Sequence, residues 1–287
     1  MKKMWYFTAF VLIIIGVVGA ATYDWKSQDD LPEFEKTWTF AASDLRNLEI
    51  VSDYNVALTF VKSTDGSNSI RLKGQGTEKM IEKAQATELA GQSLKLDLTR
   101  MPKKYFSFFD LSFARTKETL VVAVTDDSLL DTLRVKIASG SITVSDAALA
   151  RVSEANLSTD SGSIKVNHFK SERLLIDIDS GSISGSDITA DVTASTDSGS
   201  IKLDGVNGRT RLSVDSGSIK LYKLDNSNSD LSTDSGSIYV QVPASFAGNY
   251  DLRTDSGSVH SPESKRETTD YIKARTDSGS IRVEQAQ

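Results

Sequence analysis

One short motif recurs through the second half of the sequence and restricts the fold more than any other feature. Ser-Gly-Ser followed by Ile or Val occurs eight times, at intervals of 18 to 22 residues. A unit of this length cannot bury an apolar face of its own, so successive units must stack on one another. The glycines of the eight copies are Gly140, Gly162, Gly181, Gly199, Gly217, Gly236, Gly257 and Gly279.

Apolar and polar residues alternate on both sides of each glycine, which is typical of half-buried β-strands. In the second copy the apolar residues carry odd numbers before the glycine, Leu157 and Thr159, and even numbers after it, Ile164 and Val166. The chain must therefore turn or bulge at Gly162 to keep both sets on one core. Glycine suits such a bend because it accepts a positive φ without a clash.

The repeat predicts an all-β fold, a single-stranded β-solenoid (β-helix) with rungs of about 20 residues, over residues 138–287. Parallel strands in neighbouring rungs would lie about 4.8 Å apart. A sandwich of antiparallel hairpins is the alternative. Hairpins, however, need not keep one identical motif at one phase, so the repeat favours the solenoid.

An aspartate stands two residues before seven of the glycines. Stacked rungs would place these carboxylates about 5 Å apart, where each pair repels by about 0.8 kcal/mol in bulk water. Either each Asp closes its turn by accepting a backbone hydrogen bond, or adjacent carboxylates hold Ca²⁺ or another hard cation. Calcium is the one cofactor that this pattern suggests. The row consists of Asp160, Asp179, Asp197, Asp215, Asp234, Asp255 and Asp277.

The sequence of the amino end predicts a membrane anchor. Two lysines precede an uncharged stretch from Trp5 to Ala21, which as a helix reaches about the thickness of the bilayer's hydrocarbon core. Basic residues before the span and acidic ones after it predict a single-pass protein of the cell membrane, with a cytoplasmic amino terminus and an extracytoplasmic bulk. Residues 1–23 are thus the predicted transmembrane helix, or a signal peptide if the chain is cleaved after Ala20.

Residues 24–36 read as a polar tether and residues 37–137 as a β-rich amino-terminal region. The latter contains alternating segments such as 56–61, 93–98 and 119–124 and one helical stretch, Glu78 to Leu89. We interpret this region as irregular early rungs or as a cap over the apolar end of the solenoid, which repeat proteins require.

One segment of the amino-terminal region combines five aromatic residues with basic neighbours. Such a segment fits an anionic membrane surface, because aromatic rings favour the interface and Lys and Arg are attracted to acidic lipid. It also fits a plug for the cap or a surface for a partner. The residues of this predicted surface are Lys103, Lys104, Tyr105, Phe106, Phe108, Phe109 and Phe113.

The composition argues against several classes of function. A formal charge of −6 and a pI near 5.1 are unlike those of nucleic-acid binders, which neutralise phosphates with Lys and Arg. The chain has no cysteine, and its two histidines, His168 and His260, form no metal or triad pattern. We therefore expect no enzyme. The rival is a polysaccharide-active β-helix enzyme, which needs carboxylates in unlike environments.

The repeated Thr-Asp-Ser-Gly-Ser-Ile, the strand-rich middle and the basic-plus-apolar amino end resemble the bacterial putative-adhesin β-solenoid family, over roughly Trp38 to the end. The layout is similar to that of the membrane-anchored member encoded with the Lia cell-envelope stress system of Bacillus-type bacteria. The resemblance implies an exported β-helical module linked to envelope stress, with no catalytic residues to carry over. Expected partners are the membrane and an envelope protein or cell-wall polymer, and a calcium-rigidified adhesin is a further alternative.

Overall fold

Each glycine-centred repeat forms one layer of a parallel stack. The computed structural model describes residues 31–99, 117–125 and 129–286. In the first two layers β7 (Leu129–Ser145) pairs in parallel with β8 (Arg151–Asn207), and Gly140 lies opposite Gly162. The same register continues into β9 (Thr210–Lys223), where Gly199 lies opposite Gly217. The described part is all-β apart from one helix and one short 3₁₀ turn.

The remaining elements extend this stack at both ends within one fifteen-stranded sheet. The strands before the repeat are β1 (Glu33–Phe40), β2 (Asn47–Ser52), β3 (Asn55–Lys62), β4 (Asn68–Gln75), β5 (Ser93–Leu98) and β6 (Lys117–Val124), with helix α1 (Glu78–Ala86) between β4 and β5. Those after β9 are β10 (Ser229–Ser235), β11 (Ile238–Val242), β12 (Asn249–Ser256), β13 (Val259–His260), β14 (Tyr271–Ser278) and β15 (Ile281–Gln285).

Two layers without the glycine motif precede the repeat in space. Strands β2 and β3 lie in parallel on the two halves of β7, and β5 and β6 lie in parallel on β2 and β3. The side chain of Asn55 lies beside Gly140, and its oxygen accepts hydrogen bonds from the backbone N–H and the hydroxyl of Ser141. This contact joins the first glycine layer to a layer of different sequence.

The stacking order departs from the chain order at both ends. The β5/β6 layer is the outermost although β2/β3 comes before it in the chain. At the other end β10 pairs with β14, and β14 pairs with β12. The glycines there follow the order Gly236, Gly279, Gly257, so the last repeat of the sequence lies between the two that precede it. The repeat had led us to expect one layer above the next in sequence order.

The core runs through the stack as columns of equivalent apolar side chains. Leu157, Ile164 and Val166 are fully buried, and Thr159 is only 3% exposed, so both phases of the alternation face inward as predicted. Beyond the outermost layer, β4 pairs antiparallel with β6, and β1 pairs antiparallel with β4. Between repeats the pairing is parallel, which argues against the sandwich of hairpins.

The helix is amphipathic and lies against the amino-terminal end of the stack. Thr77 caps its first turn by accepting a hydrogen bond from Met80 N, and Met80 and Ala84 are its buried residues. It ends at Ala86, three residues earlier than the pattern indicated. Strand β1 begins at Glu33, so the last four residues of the predicted polar tether, 33–36, are part of a strand.

No helix in the described ranges has the length and apolar character to cross a bilayer. Residues 1–23, the predicted anchor, lie outside the described residues. The predicted aromatic and basic surface, between residues 103 and 113, lies outside them as well.

Candidate functional site

The glycine column forms a sharp edge along the stack, and the backbone itself requires glycine there. All eight glycines have positive φ, between 110° and 156°. A Cβ atom added to Gly199 would lie 1.7 Å from the carbonyl oxygen of Gly181, and one added to Gly217 would lie 1.7 Å from that of Gly199. The prediction of positive φ is confirmed, and close contact between layers is a second reason that the sequence did not reveal.

The seven aspartates form an exposed row beside this edge. The serines that follow them are in register, as in the pairs Ser198↔Ser216 and Ser235↔Ser216, so Asp215 lies between Asp197 and Asp234. The prediction that each Asp accepts a backbone hydrogen bond is wrong, because none of the seven side chains has a partner among the described residues. In two layers a threonine bonds the turn instead: Thr159 Oγ1 donates to the carbonyl of Ser161 at 3.1 Å, and Thr196 Oγ1 donates to that of Ser198 at 3.3 Å.

Whether the aspartate row holds a cation stays a prediction. The described ranges contain no group of three or more His, Asp or Glu side chains placed to hold one metal ion. The carboxylates lie on the outer surface of the stack, where water solvates them. Their mutual repulsion is therefore screened by solvent and salt.

A row of outward-facing side chains, four of the eight being Lys or Arg, follows the strand after the glycine and was missed by the sequence reasoning. The residue three positions after each glycine points outward, and these positions are in register between layers, as in Lys202↔Lys220 and Tyr239↔Arg282. The signal was available, because this position alternates with the buried Ile and Val. In stacking order the row is Thr143, Lys165, Ser184, Lys202, Lys220, Tyr239, Arg282 and His260.

The three lysines of this cation row are exposed, and none forms an ion pair within the described residues. From Lys165 to Arg282 the row crosses five layer steps, about 24 Å at the usual strand spacing. The aspartate row lies around the glycine edge on the other part of the surface. The stack therefore displays two parallel rows of opposite charge, one acidic and one basic.

Two tyrosines lie beside the cation row between Lys220 and Arg282. The rings of Tyr222 and Tyr239 pack at 5.5 Å between centroids and are tilted by 52°. Tyr239 donates a hydrogen bond to Glu284 at 2.7 Å, and Arg282 also donates to that carboxylate. This hydrogen bond raises the pKa of Tyr239 to about 12 and, with Arg282, holds the pKa of Glu284 below its ordinary value. The phenol is thus held protonated as a hydrogen-bond donor.

The two histidines lie in different layers of the stack, His168 in β8 and His260 in β13. His168 is 61% exposed, with Nδ1 at 3.2 Å from Asp146 and Nε2 at 3.4 Å from Asp187. Because the two nitrogens point to different carboxylates, the imidazole bridges neighbouring layers. His260 is exposed at the end of the cation row.

One lysine that the sequence did not single out is completely buried. The Lys223 side chain has no exposed area, lies 2.7 Å from Asp225, and donates to Ser227 and to the carbonyl of Gly208. Burial lowers the pKa of Lys223. Its contacts are satisfied by the turn after β9, so its role there is structural.

Two shallow depressions lie at the carboxyl-terminal end of the stack. The larger, about 490 Å³, is lined by Tyr250, Leu252, Val259, the segment from Ser261 to Ser264, and Arg266. The other, about 410 Å³, is lined by residues that include His260 and Glu284. Both are open to solvent.

A comparison with known protein families identifies the family of this chain. Residues 45–287 match the Toastrack DUF4097 family. The chain belongs to this family. No curated protein matches the sequence. The expectation of a family associated with putative adhesins is thus supported, whereas no finding addresses the Lia-type layout.

Two solved structures show the same fold as this Toastrack protein. A putative adhesin from Parabacteroides distasonis is 14% identical, with a TM-score of 0.52, and the match covers 90% of this chain and 98% of that chain. A putative adhesin from Bacteroides fragilis is also 14% identical, with a TM-score of 0.50, and the match covers 88% of this chain and 97% of that chain. At this identity the likeness concerns the fold alone.

Proposed function

We propose that this Toastrack protein is a non-enzymatic binding module whose parallel layers are the rungs of a β-solenoid. In this proposal residues 1–23 anchor it in the cell membrane with the bulk outside, and it acts in the response to cell-envelope stress. The names of its structural neighbours agree with a binding role. The cation row on an acidic protein is the observation that carries the proposal.

The spacing of the cation row suits an extended anionic ligand. Lys165, Lys202 and Lys220 have no acidic partner in the described residues, so they can pair with a ligand without breaking an internal ion pair. A linear polymer that lies along the stack would meet a cation every one or two layers, about 5 to 10 Å apart. Tyr222 and Tyr239 offer aromatic faces in the same region. An anionic cell-wall polymer has this linear, repeating negative charge.

A wall-binding experiment tests this assignment. The full chain in phosphatidylcholine nanodiscs is mixed with purified cell walls that carry or lack their anionic polymers, and the bound fraction is measured by sedimentation. We expect binding only to walls with the polymers, and weaker binding as salt rises, since exposed charges are screened. The double variant Lys202→Glu/Lys220→Glu should lose most of this binding.

The matched control makes the same charge change elsewhere. Lys79 and Lys170 are exposed and lie outside the row, so Lys79→Glu/Lys170→Glu should bind like the unchanged protein. Equal loss of binding in both double variants would contradict a role for the row. Release of reducing ends from the walls would instead favour the polysaccharide-active enzyme.

The membrane and calcium aspects have separate tests. The full chain should remain with washed membranes and be digested by protease added outside intact cells, whereas release into the medium would favour a cleaved signal peptide. A calcium-rigidified adhesin requires that cell or wall binding depend on Ca²⁺. Binding unchanged by EDTA would leave the cation row as its basis.

A further inference from the structure

The two tyrosines beside the cation row belong to a patch of unlike side chains on the strand after the glycine. Positions three and five residues after each glycine point outward and form two adjacent rows across the layers. Neighbouring layers lie about 4.8 Å apart, and alternate residues of a strand lie about 7 Å apart, so three layers bring six side chains onto one small surface. The members of this tyrosine patch are Lys220, Tyr239 and Arg282 in the first row and Tyr222, Gln241 and Glu284 in the second.

The tyrosine rings give the patch an aromatic surface. Tyr222 lies in register with Gln241, and Tyr239 lies in register with Lys220, so the two rings meet diagonally across two layers. Both side chains are half-buried on the outer face of the strand, so part of each ring contacts solvent. The hydrogen bond from Tyr239 to Glu284 holds one ring in place. Such rings offer apolar contact area to a ligand at a low cost in conformational entropy.

The smaller of the two depressions, about 410 Å³, adjoins the tyrosine patch. Its lining includes Gln241 and Glu284 of the patch and His260, Ser261 and Pro262 from the layer beyond. The Gln241 side chain has no hydrogen-bond partner among the described residues, so its carbonyl oxygen and its NH₂ group are both available to a ligand. The volume lies within the range of about 300 to 1,000 Å³ that is usual for small-molecule sites.

The Glu284 carboxylate determines which kind of group suits this depression. Its Oε2 accepts a hydrogen bond from Tyr239, and its Oε1 accepts one from Arg282 Nε, both at 2.7 Å. These bonds hold the pKa of Glu284 below its ordinary value, so the carboxylate is ionised at neutral pH and each oxygen can accept a further hydrogen bond. Because Arg282 is already paired with it, the pair has no net charge to attract an anion. The depression therefore suits a neutral ligand that carries hydroxyl groups.

We propose that the tyrosine patch and the depression beside it bind a neutral sugar that the anionic polymer carries as a substituent. The sugar ring packs its C–H face on Tyr222 and Tyr239, and its hydroxyls hydrogen-bond Gln241 and Glu284. A sugar combines apolar C–H faces with a rim of hydroxyls, which matches aromatic rings next to an amide and a carboxylate. The anionic groups of the polymer meet the adjacent lysines of the cation row. This sugar site rests on the proposed function, because it takes the neutral part of the same ligand.

Polymers that differ only in their sugars test the sugar site. The full chain in phosphatidylcholine nanodiscs is titrated by calorimetry with bare poly(glycerol phosphate) and with the same polymer substituted with glucose or with N-acetylglucosamine. We expect at least one substituted polymer to bind roughly tenfold more tightly than the bare polymer, which corresponds to about 1.4 kcal/mol. Raised salt should weaken the binding of every polymer but leave this ratio unchanged, since salt does not screen uncharged contacts.

Substitutions within the patch should remove the preference for the sugar. Tyr222→Ala and Gln241→Ala should each lower the affinity for the substituted polymer toward that for the bare polymer. Tyr271→Ala is the matched control, because Tyr271 is 38% exposed and lies at the start of β14, outside the patch. This control should keep the preference, and thermal melts show whether each variant keeps its fold.

The possible outcomes separate the sugar site from the function on which it rests. Equal binding of bare and substituted polymers would overturn the sugar site and leave the cation row in place. A preference that survives in the folded Tyr222→Ala and Gln241→Ala variants, or that is lost equally in Tyr271→Ala, would overturn it as well. If no polymer binds, the proposed function fails together with the sugar site.

Discussion

The glycine at the bend of each layer is the residue on which the stack depends most directly. Replacing Gly199 by Ala would place a Cβ atom 1.7 Å from the Gly181 carbonyl oxygen, at φ 146°. The layers cannot separate locally without breaking the parallel pairing on both sides. We expect Gly199→Ala to lower the free energy of unfolding by about 3 kcal/mol or more, measured by urea denaturation of the full chain in detergent.

A second glycine provides the comparison. Gly66 has φ 77°, and a Cβ atom added there would meet nothing within 4 Å. Gly66→Ala should cost only the strain of a left-handed alanine, about 1 kcal/mol. If the two variants were equally destabilised, positive φ alone would explain the motif and close stacking would not.

The Tyr239 hydroxyl predicts a dependence of stability on alkaline pH. Its pKa in the folded protein, about 12, lies above the ordinary value of 10.0 because the phenol donates a hydrogen bond to the Glu284 carboxylate. The stabilisation from this bond is complete below pH 10 and is lost as the pH rises through 12. The stability difference between the protein and Tyr239→Phe should therefore shrink over this range, as followed by urea denaturation.

Removing the acceptor checks the cause of the shift. In Glu284→Gln the phenol should ionise nearer pH 10, as measured by tyrosinate absorbance against Tyr239→Phe. A pKa that stayed near 12 would mean that burial, not the carboxylate, holds the proton.

At the scale of the element, the aspartate row predicts a response to salt. Asp215 has a carboxylate neighbour in the layer on each side, and none of the three accepts a hydrogen bond among the described residues. Asp215→Asn removes two repulsive pairs and should raise the melting temperature at low ionic strength. The gain should largely disappear in 1 M NaCl, where the screening length is about 3 Å.

Two controls separate repulsion from cation binding. Asp204→Asn removes an exposed carboxylate outside the row and should give no gain. If the row instead binds Ca²⁺, EDTA should lower the melting temperature and Asp215→Asn should be destabilising. An unchanged melt in EDTA together with a stabilised Asp215→Asn would exclude structural calcium in the row.

The elements themselves could be predicted from the sequence, since each depends on local pattern. Alternation identified the strands, including Leu157 and Ile164 on one core, and Glu78 marked the start of α1. The aspartates were misassigned because carboxylate–backbone pairing is common in such turns, whereas in the layer of Asp160 the turn contact is made by Thr159. The cation row was overlooked because its members, such as Lys202 and Lys220, become neighbours only when the register is known.

The order of layers is a property of the whole molecule, and it predicts an unusual pattern of protection of backbone amides from hydrogen exchange. Although β14 is nearer the end of the chain, it has strands on both sides, whereas β12 has one only. In amide hydrogen exchange, β14 peptides should exchange more slowly than β12 peptides. Layers stacked in chain order would show the reverse.

This order was not accessible from the sequence because the repeat is nearly identical in every layer. Gly257 and Gly279 fit equally well on Gly236 by local pattern alone. Which glycine stacks on Gly236 depends on the connection 261–270. There the backbone amides of Arg266 and Glu267 donate hydrogen bonds to the carbonyls of Gly248 and Ala247. Such long-range contacts are invisible to periodicity.

The inserted final layer also constrains how the protein can be assembled. During synthesis or export, residues 249–260 emerge before the strands on which they finally rest. Residues 249–260 must therefore stay unpaired, or pair temporarily with β10 and β11, until residues 271–285 take up that position. The last strands of the chain are thus inserted between two layers that were synthesised earlier. We expect β12 and β14 to reach their final pairing in one cooperative step.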